Sequence, residues 1–257
     1  MSSVVATRSA RTSRGRRSRR RRGGPVVRAI GALGELLVTA GLLLGLFVVW
    51  QLFWTDFESS RGDRQAVEDF QDTIEEPTDE PEPGPRTGPP PVMEAPGVGE
   101  TIGTLYVPRW GEGYARTIRE GNPENELAVL NQGGAAHYPD TAMPGDIGNF
   151  ALAGHRQTYG AAFHKVDQLE NGDRMIVQTR DAWMVYEVSE SYVVTPDQVE
   201  VVAPVPGDPD AEPSERLITL TTCHPLWSTR ERWIIHGELV EWYGPSRDMP
   251  EALQEGP

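Results

Sequence analysis

From Leu36 to Trp54 the chain reads LLVTAGLLLGLFVVWQLFW, 19 consecutive residues without a charge. At about 1.5 Å per residue this run nearly spans a hydrocarbon core of about 30 Å, and residues back to Ile30 lengthen it. Gln51 is its one strongly polar member, while Trp50, Phe53 and Trp54 suit an interfacial belt. The run is too long for the apolar region of a cleaved signal peptide, and no small-x-small site follows it. It therefore reads as an uncleaved signal anchor over residues 29–56, a single membrane pass that separates the rest of the chain into two compartments.

Charge gives the direction of that pass. Residues 1–28 carry ten Arg and no acid, including the run RRSRRRRGG, whereas residues 57–257 carry 14 basic against 36 acidic residues, a net of −22. Positive charge is retained in the cytoplasm, so the basic tail 1–28 is expected inside and everything after the anchor outside. Arg-rich runs also bind nucleic-acid phosphates. Beside a membrane helix the same charges serve topology and contact with anionic lipid, and no nucleic-acid partner is expected. The basic residues are 23 Arg and one Lys, which fits a GC-rich, actinobacterial coding bias.

Residues 57–98, with EEPTDEPEPGPRTGPPP at their centre, are rich in Pro and acid and poor in branched apolar residues. Such a composition does not bury enough surface to offset chain ordering, so an extended, disordered stalk is expected. RGD at 61–63 matches an adhesion motif, but three residues in an acidic stretch are read as chance and the segment as a spacer. From Thr101 short β-branched and aromatic runs follow one another, among them TIGTLYVPRW, AWMVYEVSESYVV and RWIIHGELVEW, punctuated by Gly, Pro, Asn and Asp. That pattern predicts a mostly-β, closed barrel or sandwich over residues 99–244. PENELAVLNQG and GAAFHKVDQL read as short helical turns, and the polar tail 245–257 is expected to fray.

One Cys excludes a disulfide framework and any Cys-rich zinc site, and the five His form no HExxH pair, so neither a metal nor another cofactor is expected. Asp167, Glu170 and Asp173 in KVDQLENGDR lack the spacing of a calcium loop and read as a solvated turn. Cys223 ends the alternating run LITLTTCHP. A free cysteine is commonly an inert, buried hydrophobe. On the outer face of a membrane, however, a thiol without a use is exposed to oxidation. Cys223 also stands where a strand gives way to a turn, with Arg230 and Arg232 following to supply positive potential. A thiol nucleophile needs a proton partner. His224 is a poor one, because adjacent strand side chains face opposite ways. His236 lies within a strand run, His164 in a turn, and His137 in a loop that lines a groove. His155 ends the run NFALAGH, a strand-end position like that of Cys223.

These residues carry a resemblance. ITLTTCHP followed by STRERWIIHGEL resembles the sortase signature, in which TLxTC ends one strand and an Arg opens the next, and HYPDTAMPGDIGNFALAGHR resembles the segment leading to the sortase catalytic histidine. The likeness covers roughly residues 101–242 and is greatest to the class E, housekeeping-type sortases of actinobacteria, with classes D and F next. It implies a sortase-type β-barrel in which His155 is the catalytic histidine, Cys223 the nucleophile and Arg232 the catalytic arginine. Arg230 stays open as the alternative, since strand alternation puts both on one face. Thr221 and Thr222 match the motif threonines; with His137 and Tyr106 they are the expected substrate-binding residues, Tyr138 and the loop from Ser191 to Pro213 being further candidates. The implied enzyme is a membrane-anchored cysteine transpeptidase. It cleaves a Leu-Pro/Ala-x-Thr-Gly sorting signal between Thr and Gly and transfers the secreted protein to a peptidoglycan-precursor amine. A hydrolase with the same residues, and a tethered binding module with a buried Cys223, are the rival readings.

Overall fold

The computed structural model describes residues 24–75 and 84–254. Residues 1–23, which hold most of the basic tail, lie outside that description. The chain divides into two compact units, one ending at Val49 and the other beginning at Trp50. The first helix, α1 (Pro25–Gln71), contains an apolar stretch, Pro25–Gln51, that is long enough to cross a membrane. Its leucines are solvent-exposed.

The second unit is a closed eight-stranded barrel. Its strands are β1 (Thr101–Tyr106), β2 (Ala115–Glu120), β3 (Ala135–His137), β4 (Gly148–Gly154), β5 (Arg174–Gln178), β6 (Trp183–Val194), β7 (Arg216–His224) and β8 (Glu231–Tyr243). Around the barrel they run β1-β2-β3-β4-β7-β8-β6-β5. β4 and β7 pair in parallel, from Gly148 opposite Arg216 to Ala153 opposite Thr221, and β7 pairs antiparallel with β8. Alternate residues turn inward: Ile218 and Leu220 of β7 meet Phe150 and Leu152 of β4 in one core, with Tyr186 and Ile235. Each such side chain contributes about 1.5–3 kcal/mol relative to exposure. Closure leaves no free sheet edge.

The apolar runs named in the sequence become β1, β4, β6, β7 and β8. PENELAVLNQG supplies α2 (Glu126–Leu130), and GAAFHKVDQL ends in a 3-10 turn at Val166–Gln168. β2 and β3 carry little apolar alternation and give no comparable signal.

Parts of two flanking segments are more ordered than their composition predicts. In the span 57–98, α1 continues to Gln71, and Asp63, Phe70 and Ile74 are buried on the barrel. Farther on, Arg86 exchanges two backbone hydrogen bonds with Trp242, and Pro90 is buried. The few apolar residues here suffice because they dock on an existing barrel instead of building a core of their own. Residues 76–83 lie outside the described residues. The C-terminal tail is likewise held: Leu253 in α3 (Glu251–Gln254) is buried with Ile176 and Trp183, and Ser246 O accepts bonds from Gln178 and Trp183.

Candidate active site

The parallel pairing of β4 and β7 determines where the site lies, because both strands end at the same rim. Cys223 is the penultimate residue of β7, and His155 follows the last residue of β4. The Thr222 hydroxyl donates to Gly154 O at 2.7 Å, tying the two strand ends together one residue before each functional side chain. Opposite, Cys223 is the direct cross-strand partner of Arg232 in β8. Cys223, His155 and Arg232 line one cleft of about 440 Å³, with Thr221, Tyr138 and Glu126 among its walls.

His155 is held from two sides. Its Nε2 lies 2.9 Å from Asn131 Oδ1, an acceptor, so Nε2 carries the hydrogen and the neutral ring keeps its lone pair on Nδ1. Tyr159 stacks on the ring at 5.1 Å between centroids. Burial holds the imidazole below its ordinary pKa, because the cation loses solvation there. The Arg232 guanidinium is fastened through Nη1 to Thr229 O and Glu231 O, both at 3.0 Å. Arg230 bonds the Ser228 hydroxyl, lies exposed and is absent from the cleft walls. The structure thereby separates two arginines that strand alternation left equivalent.

Thr221 shares a 2.8 Å hydrogen bond with the Tyr138 hydroxyl, whose pKa is raised by burial. His137 borders the cleft, but its ring is committed elsewhere. Nδ1 meets Glu120 at 2.8 Å, Nε2 meets Thr141 at 2.8 Å, and Phe150 packs on its face. Tyr106 does not join the site. It lies on β1, packs on Trp183 and hydrogen-bonds Gln71 and Gln178, beside a different cavity with Arg109 and Leu253. Closure of the barrel carries β1 away from the β4–β7 rim, a placement no local pattern encodes. His224 faces away from Cys223, as alternation requires, accepting a bond from Arg156 and packing on Trp233. Of the acidic turn, Asp173 forms a two-pronged bond with Arg109, and Asp167 lies 3.6 Å from Arg156. Asn131 and Tyr159 give almost no signal in the sequence: their one cue is a helix-stop Asn before Gln-Gly, which looks like any C-cap.

A closed barrel with this strand order, whose lone cysteine shares a rim cleft with a histidine and an arginine, defines a class of β-barrel cysteine enzyme. The sortase domain profile matches residues 105–240. Over 255 residues the chain is 37% identical to sortase SrtE2 of Streptomyces coelicolor, covering 93% of this chain and 94% of that one. The SrtA sortase from Actinomyces oris superposes with a TM-score of 0.61 at 46% identity, over 66% of this chain and 96% of that one. Sortase E1 from Streptomyces coelicolor, solved with a tripeptide in the active site, gives a TM-score of 0.53 at 37% identity, over 63% of this chain and 99% of that one. The chain belongs to the sortase family, and among sortases it is most like those of class E. It is a cysteine transpeptidase, and its family attaches proteins bearing sorting signals to cell-wall precursors.

Proposed function

We propose that Cys223, His155 and Arg232 carry out the transfer on a Leu-Pro/Ala-x-Thr-Gly signal at the outer membrane face. The convergence of these three side chains on one cleft carries the reading. The Cys223 thiol passes its proton to Nδ1 of His155 as the sulfur attacks the Thr carbonyl carbon, and the carbonyl electrons move to oxygen. As they return, the Thr–Gly C–N bond breaks, His155 gives its proton to the departing Gly amine, and a thioester remains. The acceptor amine attacks that thioester, His155 takes its proton, and the C–S bond breaks to free the thiolate. Arg232, fixed across from Cys223, stabilises the oxyanion or holds the substrate backbone. The thioester conserves the acyl energy, so neither ATP nor a cofactor enters. Thr222 keeps the two strand ends in register, and Thr221 with Tyr138 presents hydroxyls to the peptide. The tripeptide in the active site of the Streptomyces coelicolor relative supports a peptide in this cleft.

Residues 29–56 would anchor the chain as a single pass, with the Arg-rich tail cytoplasmic and the barrel outside. Sorting substrates and lipid-linked precursors meet at that face. The test is incubation with Leu-Ala-x-Thr-Gly and Leu-Pro-x-Thr-Gly peptides, with and without triglycine, read by mass spectrometry. A Thr-to-triglycine product that is absent in Cys223→Ala supports the reading, and the faster peptide identifies the second-position preference. Cleavage without ligation turns the reading to a hydrolase. No cleavage, with a Cys223 that resists alkylation, overturns it.

A further inference from the structure

The stretch from Ser59 to Asp63 packs against the two short segments that hold the His155 ring. Asp63, the last residue of the RGD triplet, is 1% exposed. Its Oδ1 accepts from the backbone N–H of Thr117 at 3.2 Å and from the Thr117 hydroxyl. The Arg116 and Arg119 guanidiniums lie 3.7 Å from its two carboxylate oxygens. Arg119 in turn donates to Gly133 O at 2.9 Å. An adhesion role needs this carboxylate in solvent, and it is not there.

Asp63 faces the turn that follows Asn131. Gly133 and Gly134 have φ of +90° and +74°, conformations that favour glycine. A β-carbon at Gly134 would stand 2.7 Å from Asp63 Oδ1, and one at Gly133 would stand 3.0 Å from Ser59 O, so only glycine admits the helix this closely. The Ser59 hydroxyl reaches Asn131 O at 3.5 Å. On the other side of the ring, Gly160, next to the stacking Tyr159, lies against Ser60: a β-carbon there would be 3.4 Å from the Ser60 hydroxyl. Helix α1 thus contacts both the turn bearing Asn131 and the turn bearing Tyr159.

We propose that Asp63 is a positioning residue for His155: it seats the Ser59–Asp63 stretch of α1 on the 131–134 turn and, through Asn131, sets which imidazole nitrogen carries the hydrogen and where the ring points. The membrane-proximal helix is then part of the catalytic apparatus and not a spacer. This rests on the reading of His155 as the acid–base residue. The tests are made on the full chain in detergent.

One arm needs no substrate. Nitrogen-15 shifts of the His155 imidazole are expected to report a single Nε2–H tautomer in the native chain and a mixture in Asp63→Ala and Asn131→Ala. The second arm is kinetic. Asp63→Ala is expected to lower kcat about tenfold to a hundredfold with KM little changed, the cost of a mispositioned catalytic group. Asp63→Asn, which keeps an acceptor for Thr117, restores a large part of the rate. The double variant Asp63→Ala/Asn131→Ala loses no more than Asn131→Ala alone, because the two act in series. Leu253→Ala, buried far from the turn, matches the loss of stability without the loss of kcat. Unchanged tautomer and kcat in a folded Asp63→Ala chain overturn the proposal, as do additive losses in the double variant. If Asp63→Ala unfolds, a single Nε2–H tautomer and a native kcat in a folded Asn131→Ala chain overturn it, because the proposed route runs through Asn131. A native chain that cuts no sorting peptide, or a fully active His155→Ala, defeats the reading of the function instead, and the tautomer arm still decides the role of Asp63.

Discussion

At the scale of single residues, the cleft depends on how closely β4 approaches the helical turn behind it. A β-carbon at Gly154 would stand 2.5 Å from the ring of Phe163, which is fully buried and has no room to retreat. Gly154→Ala is expected to cost about 1–3 kcal/mol through overpacking, measured by urea unfolding, and to displace His155 with loss of activity. Thr222→Val removes the bond to Gly154 O and leaves that carbonyl buried. Its expected cost is about 1–3 kcal/mol, with a fall in kcat greater than any change in KM. The pH profile follows from His155. Burial depresses its pKa, so the acidic limb of kcat/KM should lie below the ordinary histidine value of about 6.5. Peptide cleavage measured from pH 4 to pH 9 checks this. Cys223 and His155 are legible in the sequence as strand-end residues, because a strand followed by a turn leaves a local trace. Asn131 and Tyr159 are not, since each serves only through a ring placed beside it by the fold.

At the scale of elements, a buried polar chain ties β6, β7, β8 and β4 together. The Tyr192 hydroxyl meets His236 Nε2 at 2.8 Å and His236 Nδ1 meets the Thr219 hydroxyl at 2.8 Å. Thr219 donates to Asn149 at 2.7 Å, and the Asn149 amide donates to Ala203 O at 3.0 Å. A neutral His236 with its hydrogen on Nδ1 satisfies every link. Burial pushes its pKa down to about 4. The folded value lies below the unfolded one, so the unfolded chain binds the extra proton. This stabilisation is present above about pH 6.5 and is lost as pH falls toward 4. Urea unfolding at pH 7 and pH 5 should show a loss about 2 kcal/mol smaller in His236→Gln than in the native chain. Most strands of this chain are readable from alternation, but β2 and β3 are not. ARTIRE presents Arg and Glu where a strand usually shows apolar residues, and Arg119 and Glu120 are tolerated inside because Gly133 O and His137 receive them.

At the scale of the whole chain, the segment after the apolar stretch Pro25–Gln51 is fastened to the barrel over its described parts. Phe70 is 4% and Ile74 is 2% exposed, and Gln71 bonds Tyr106 and Gln178. Phe70→Ala should cost about 3–5 kcal/mol of docking, seen as faster hydrogen exchange across residues 59–71 while the barrel amides keep their protection.

Several properties follow from the chain by itself: the apolar run with its one-sided arginines, the β texture after Thr101, and the strand-end placing of Cys223 and His155. Each is a local pattern, a period or a composition readable within a few neighbouring residues. Tertiary structure alone placed Arg232 on the cleft and Arg230 off it, set Tyr106 beside a different cavity and folded part of an acidic stretch into a docked helix with a buried Asp63. Those outcomes depend on which strands become neighbours when the barrel closes, and on pairs such as Asp63 with Thr117 that are far apart in sequence. A carboxylate in an acidic stretch looks like solvent-facing charge until two arginines and a hydroxyl are folded around it.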